Sequence, residues 1–199
     1  MSSNNEAKVS DGRRARSERS QAAIIDACLS LMNEGILVPT AQQISDRAEV
    51  GIRSFFRHFN DMDSLFNQVD KKIRDDYESL FRPASYEGAL EDRIVGMVTL
   101  FSNGWEKLTN MILSTKAMRW RSAALRKNYA RNQRALSEEV SRWLPEAATL
   151  PKSDRVALDA VASFEFWERL REHQGLSKKV SREIVISMVS GFFDAKHYR

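Results

Sequence analysis

Residues Thr40 to Phe59 read TAQQISDRAEVGIRSFFRHF, and this stretch decides the fold. Thr40 offers a hydroxyl that accepts an otherwise unbonded N–H at the start of a helix. Gln43, three residues on, reaches back to the Thr40 backbone and completes a capping box. Ile44 and Ala48 fall one turn apart on a buried face, and Val50 closes the turn from inside. Gly51 permits a sharp re-entry of the backbone into a second helix, Ile52 to Phe59. That helix is about two turns long and is not stable alone. Phe55, Phe56 and Phe59 anchor it, with Arg53, Ser54, Arg57 and His58 between them. Two short helices joined so tightly form a helix-turn-helix. The docking that fits its second helix is the major groove of DNA.

The rest of the chain supports a helical protein. Its 199 residues are 42% hydrophobic, and only eight glycines and four prolines interrupt them. Long stretches of helical periodicity with so few breakers give an all-α fold. No run of apolar residues is long enough for a membrane span. The N-terminus lacks the apolar centre of a secretory signal, and the single cysteine, Cys28, suits a reducing compartment, so a cytoplasmic protein is expected. Cys28 lies among Ala27, Leu29 and Leu31, as a buried structural thiol does. The net charge of +4 is compatible with a polyanion partner and too mild to prove one. Its placement says more. Arg13, Arg14, Arg16 and Arg19 cluster ahead of the first helix, and Lys116 to Arg134 holds seven basic residues and no acid.

Catalysis has no foothold. His58, His173 and His197 are scattered without a second ligand at metal spacing, so no metal site is expected. No nucleophile elbow and no glycine-rich phosphate loop occur, and no cofactor is implied.

The pattern predicts about nine helices. Residues 1–15 read as a disordered basic arm, and residues 16–62 as a DNA-binding head containing the motif at 40–59. Residues 63–199 read as a helical domain for ligand binding and dimerisation. The first helix is expected over Ser17 to Glu34, with Ile24, Ala27, Cys28 and Leu31 inward and Gly35 as its stop. A fourth starts near Asp61 or Asp63 and ends before Pro83, the expected seam between the two parts. Beyond it, Glu87 to Ser102 reads as a helix, broken at Asn103-Gly104 and followed by Trp105 to Leu113. Further helices are expected over Lys116 to Leu144, Ser153 to His173 and Ser177 to Ala195.

The last two are apolar over an unusually wide arc. Phe164, Trp167, Ile184, Val185, Met188, Val189 and Phe192 either thicken a single core or build a symmetric four-helix dimer interface, and the dimer is the expectation. Candidate pocket walls are Phe81, Met97, Phe101, Trp105, Met111, Met118, Trp120, Tyr129 and Trp167. Such soft, aromatic walls suit an apolar or aromatic small molecule, although the same stripe also describes plain core. On a helical wheel the basic residues of Lys116 to Arg134 share a solvated arc, with Arg121 off it and able to meet an anionic ligand group.

A first helix, a Thr-capped helix-turn-helix, a second helix ending in aromatic–x–His–Phe and an acid-rich start to the fourth resemble the TetR family of bacterial transcriptional regulators. The match is close over roughly Arg16 to Val69. The family's usual turn is Ala-Gly-Val-Ser; here it is Ala48-Glu49-Val50-Gly51. Phe56 stands where Tyr is usual, without its hydroxyl, and Met62 where Lys is usual, without its cation. The resemblance implies a homodimeric repressor released from a pseudo-palindromic operator by a small-molecule effector. It implies that Thr40, Arg53, Ser54, Phe56, Arg57 and His58 face DNA. Arg53 has the fork to bond guanine O6 and N7 together. Arg57 and His58 are better placed for phosphates. Arg13, Arg14 and Arg16 form an arm able to follow the backbone or enter the minor groove. The competing reading is a helical protein-interaction module that has lost sequence-specific DNA binding, and Glu49, Phe56 and Met62 favour it.

Overall fold

Thr40 caps its helix as its chemistry dictates. Its side chain accepts the Gln43 N–H at 3.2 Å, and the Gln43 carboxamide accepts the Thr40 N–H at 2.9 Å. The protein, seen here in a computed structural model, is described over residues 3–194, with side chains from residue 14 onward. All nine α-helices among these residues run in the order α1 (Ser3–Asn33), α2 (Ala41–Arg47), α3 (Ile52–His58), α4 (Met62–Ser79), α5 (Leu90–Met118), α6 (Ala123–Trp143), α7 (Lys152–Val161), α8 (Phe164–Glu168) and α9 (Lys178–Gly191). A 3-10 turn spans Pro145–Thr149 and a π-helical turn Arg169–His173. No strand occurs among the described residues.

The number of helices agrees with the sequence pattern, but for different reasons. The stretch expected to be a disordered arm is helical from Ser3. Ala, Glu, Lys and Arg dominate residues 6–16, and these are good helix formers, with Gly12 as the single costly position. Asn103-Gly104 does not break α5. A Cβ at Gly104 would lie 2.8 Å from Cε1 of Phe81, so this glycine serves close packing rather than a turn. The helix expected over Lys116 to Leu144 is instead interrupted at Arg119–Ser122. Ser122 Oγ accepts the Leu125 N–H at 3.1 Å and starts α6. The helix expected over Ser153 to His173 is cut by Ser163, whose Oγ accepts the Phe166 N–H at 3.2 Å and starts α8. The expected end of the last helix, Ala195, lies outside the described residues.

The chain forms two compact units. One comprises the chain through Arg74 together with Thr109–Ala130; the other comprises Asp75–Leu108 and Arg131 onward. The first segment of the head unit thus ends at Arg74, between the expected domain bound at residue 62 and the expected seam at Pro83, and Thr109–Ala130 of the expected ligand domain groups with the head. The cause is local bonding. The Asp63 carboxylate accepts the Ala123 and Ala124 amides at 3.1 and 3.2 Å and the Ser122 hydroxyl. Met118, Ala124 and Leu125 join a core with Ile24, Ile44, Phe55 and Leu65. Asn110 and Ser114 hold the loop after α1 by donating to the carbonyls of Asn33 and Leu37 at 2.7 and 2.9 Å.

The second unit is built on a run of aromatic rings. Tyr77 meets Phe81 at 5.4 Å, Phe81 meets Phe101 at 5.4 Å, Phe101 meets Trp105 at 5.7 Å and Trp105 meets Trp167 at 6.0 Å between centroids. Polar ties surround it. The buried Arg93 bonds the Trp143 carbonyl at 2.6 Å and pairs with Glu146. Glu106 accepts from Trp167 Nε1 at 3.0 Å and Arg171 Nε at 2.8 Å.

Candidate nucleic-acid interface

The helix-turn-helix is fixed to α1 by one guanidinium. Arg47, in the last turn of α2, reaches both carboxylate oxygens of Glu34, at 2.5 and 2.8 Å, and the Ser30 hydroxyl at 2.7 Å. The Arg47 bond first, and the Ser30 bond second, bring the Glu34 pKa down to about 2. Packing fixes the rest: α1, α2 and α3 touch one another in all three pairings. Phe55 and Phe59 turn inward and are essentially sealed, with rings 5.8 Å apart.

The turn departs from the expectation in an informative way. Gly51 has an ordinary extended conformation, φ −66° and ψ 146°, and a Cβ added to it would meet no atom within 4 Å. The left-handed residue is Glu49, at φ 54°, the one non-glycine position of positive φ among the described residues. A side chain there costs on the order of 1 kcal/mol relative to glycine. Glu49→Gly is therefore expected to raise stability by up to about 0.6 kcal/mol after the roughly 0.4–1 kcal/mol of unfolded-state entropy of glycine is deducted. Urea denaturation followed by circular dichroism measures it, and a lowered midpoint would contradict the strain.

With Phe55 and the adjoining Phe59 inward, α3 turns Arg53, Phe56 and Arg57 out. Arg53 and Arg57 are exposed and Ser54 is half-buried; Arg57 donates to Ser54 Oγ at 2.9 Å. Phe56 is 52% exposed, edge-on to Phe55 at 5.2 Å, so it lies on the outer face and not in the core. Thr40 is exposed at the head of α2. His58 behaves differently. Its Nε2 is buried without a hydrogen-bond partner, and burial first, then Arg57, holds its pKa below the usual histidine value. The same burial disfavours the charged form of the ring. Arg14 and Arg16 are exposed on α1 itself, not on a flexible arm, and Arg14 pairs with Glu18 at 3.0 Å one turn on. The Arg13 side chain lies outside the described residues.

The expected ligand walls are divided between the two units. Met111, Met118, Trp120, Arg121 and Tyr129 belong to the first unit; Met97, Phe101, Trp105 and Trp167 belong to the second. Met118 is core of the head, and Trp120 and Arg121 are exposed on the α5–α6 turn. Met97, Phe101, Trp105 and Trp167 are at most 2% exposed and fill the second unit's interior. A cleft of about 350 Å³ lies beside α6, the 3-10 turn and α7, with Val140, Leu144, Ala147 and Leu158 against Ser141 and Arg155. Its polar rim carries no aromatic or methionine signal to find it by. Of the residues expected at a dimer interface, Phe164, Trp167, Val185 and Val189 are buried within this chain. Ile184 and Phe192 are half-buried, and Met188 is exposed, as is Val180 on the same helix.

No protein-family model matches the chain, and no curated protein matches its sequence. Solved structures do match. A transcriptional regulator from Rhodococcus sp. RHA1 is similar over 88% of this chain and 95% of its own, at 14% identity and TM-score 0.64. The multidrug-binding protein EbrR, complexed with ethidium, matches over 85% and 98%, at 18% identity and TM-score 0.59. A TetR transcriptional regulator from Rhodococcus sp. RHA1 matches over 90% and 97%, at 14% identity and TM-score 0.55. Together with the capped helix-turn-helix at its head, these likenesses give the chain the fold of the TetR transcriptional regulators.

Proposed function

We propose that this protein is a DNA-binding transcriptional regulator whose α3 reads the major groove. One observation carries the reading: α3 seals Phe55 and Phe59 inside and turns Arg53, Phe56 and Arg57 outward from a capped, rigidly anchored turn. A helix of seven residues has no other evident reason to be held so firmly with its cations unburied. Arg53 lies in its first turn, where helix-turn-helix proteins meet base edges. Arg57 and the α1 arginines supply charge toward phosphates.

The protein acts as a homodimer on a pseudo-palindromic operator, as a repressor released by a small apolar or aromatic effector. EbrR, of similar fold, is a multidrug-binding protein seen with ethidium, which supports an effector of that kind. Release follows if the effector favours a state whose two heads no longer match the half-site spacing. The apolar-floored cleft beside α7 has a volume within the range of ligand pockets and is a candidate seat.

Selection of duplexes from a random pool by the purified protein tests the reading. Enrichment of a two-fold symmetric sequence is expected. Arg53→Ala is expected to lose about 1–3 kcal/mol of discrimination at one base pair per half-site. Enrichment of nothing would instead favour an interaction module, in which exposed Phe56 and the strained Glu49 serve a protein partner.

A further inference from the structure

Of the four tryptophans, Trp105, Trp143 and Trp167 are sealed and Trp120 is 75% exposed. An indole left in water forfeits a large apolar contact, and such residues concentrate at binding surfaces. Trp120 sits in the turn between α5 and α6, and this turn is firmly built. Asp63 holds its far side through Ser122 and the two amides of Ala123 and Ala124. Arg126 donates back to the carbonyls of Arg119 and Trp120 at 3.2 and 3.0 Å. The Arg119 guanidinium covers the Tyr129 ring at 4.3 Å from its centroid. Every one of these bonds secures the backbone or a neighbour, and none covers the indole.

The surroundings are cationic. Arg121 lies 5.9 Å from the Trp120 ring centroid, and Arg121, Arg126 and Lys127 are exposed. Neither Arg121 nor Lys127 enters an ion pair among the described residues. Asp63 is the acid bonded to this turn, and its carboxylate is occupied by the three donors. The whole assembly belongs to the same compact unit as α3. Its anchor, Asp63, stands in the first turn of α4, which begins four residues after the last residue of α3.

We propose that the Trp120 turn is a second DNA contact, in which Arg121 and Lys127 neutralise backbone phosphates and the Trp120 indole lies against the adjoining sugar-phosphate strand. The inference rests on the DNA-binding reading of α3 and extends it. Cations interleaved with an aromatic, in a stretch from Lys116 to Arg134 that holds no acid, match a polyanion with a continuous backbone. Such a contact adds affinity and salt dependence but no base preference, because phosphates carry no sequence information.

The exposed tryptophan supplies its own test. The full-length protein is titrated at low salt with the duplex recovered by selection, or with a random duplex if none is recovered, while tryptophan emission and acrylamide quenching are recorded. Duplex is expected to shift the emission and protect it from quencher in the wild type, but not in Trp120→Phe. In a second arm, Arg121→Gln combined with Lys127→Gln is expected to flatten the slope of log affinity against log salt by about 0.9 for each phosphate no longer neutralised. Base preference is expected to stay unchanged, and circular dichroism checks that the variants fold. Tight, selective duplex binding with Trp120 still fully quenchable, or with an unaltered salt slope, overturns this proposal alone. Absence of duplex binding by the wild type overturns it together with the reading of α3.

Discussion

Phe55→Ala is expected to cost about 3–5 kcal/mol and to abolish specific DNA binding. Phe55 is fully buried, belongs to one core with Ile24, Ile44 and Leu65, and touches the rings of Phe56 and Phe59. The loss combines the transfer free energy of a phenyl ring with the cavity left behind. It falls on a helix of seven residues that has no stability of its own. Phe56→Ala, one position along, removes an exposed ring and is expected to change stability by no more than about 0.5 kcal/mol while still weakening DNA binding. Urea denaturation followed by circular dichroism separates the two variants. Equal destabilisation by both would mean that the inward and outward faces of α3 have been assigned wrongly.

Trp105→Ala is expected to be as damaging to the second unit. Trp105 is 1% exposed and lies between Phe101 and Trp167, with a T-shaped contact to the first. Truncation costs about 3–5 kcal/mol in transfer and cavity free energy. That figure includes the loss of two aromatic pairs, worth roughly 0.5–1.5 kcal/mol each. In a chain of this size the melting temperature should fall by roughly 6–20 °C. Trp120→Ala removes the same side chain from an exposed turn and is expected to leave the melting temperature almost unchanged. A small effect of Trp105→Ala in a thermal scan would argue that the aromatic run encloses a void able to collapse.

The head is legible in the sequence because its determinants are local. Thr40 and Gln43 bond within three residues of each other, and the spacing of Ile44, Phe55 and Phe59 states which faces are buried. Sequence and structure part where one residue type has two uses. Gly104 has the signature of a breaker, yet it serves the approach of Phe81, a partner 23 positions away in sequence that periodicity does not reveal. Gly51 is the natural choice for the left-handed position of the turn, but Glu49 occupies it at a cost that no propensity scale shows. Ser122 and Ser163 carry genuine capping signals inside stretches whose apolar periodicity runs straight through them. Met118 and Trp105 look alike as soft pocket walls because apolar periodicity marks burial without saying which core receives the residue. The cleft beside α7 is edged by Ser141 and Arg155, residue types that ordinarily face water, and so offers no pattern to follow.

Cys28 belongs to the head; it is fully buried, and burial pushes its pKa up to about 12. A thiol reagent can reach it only when the head opens, so the labelling rate of this single cysteine times that opening. The three sealed tryptophans all belong to the other unit. With Trp120 replaced by Phe, indole fluorescence would follow that unit alone while thiol labelling follows the head. Whether a small molecule tightens or loosens the head would then be readable from these two signals, each reporting on one unit.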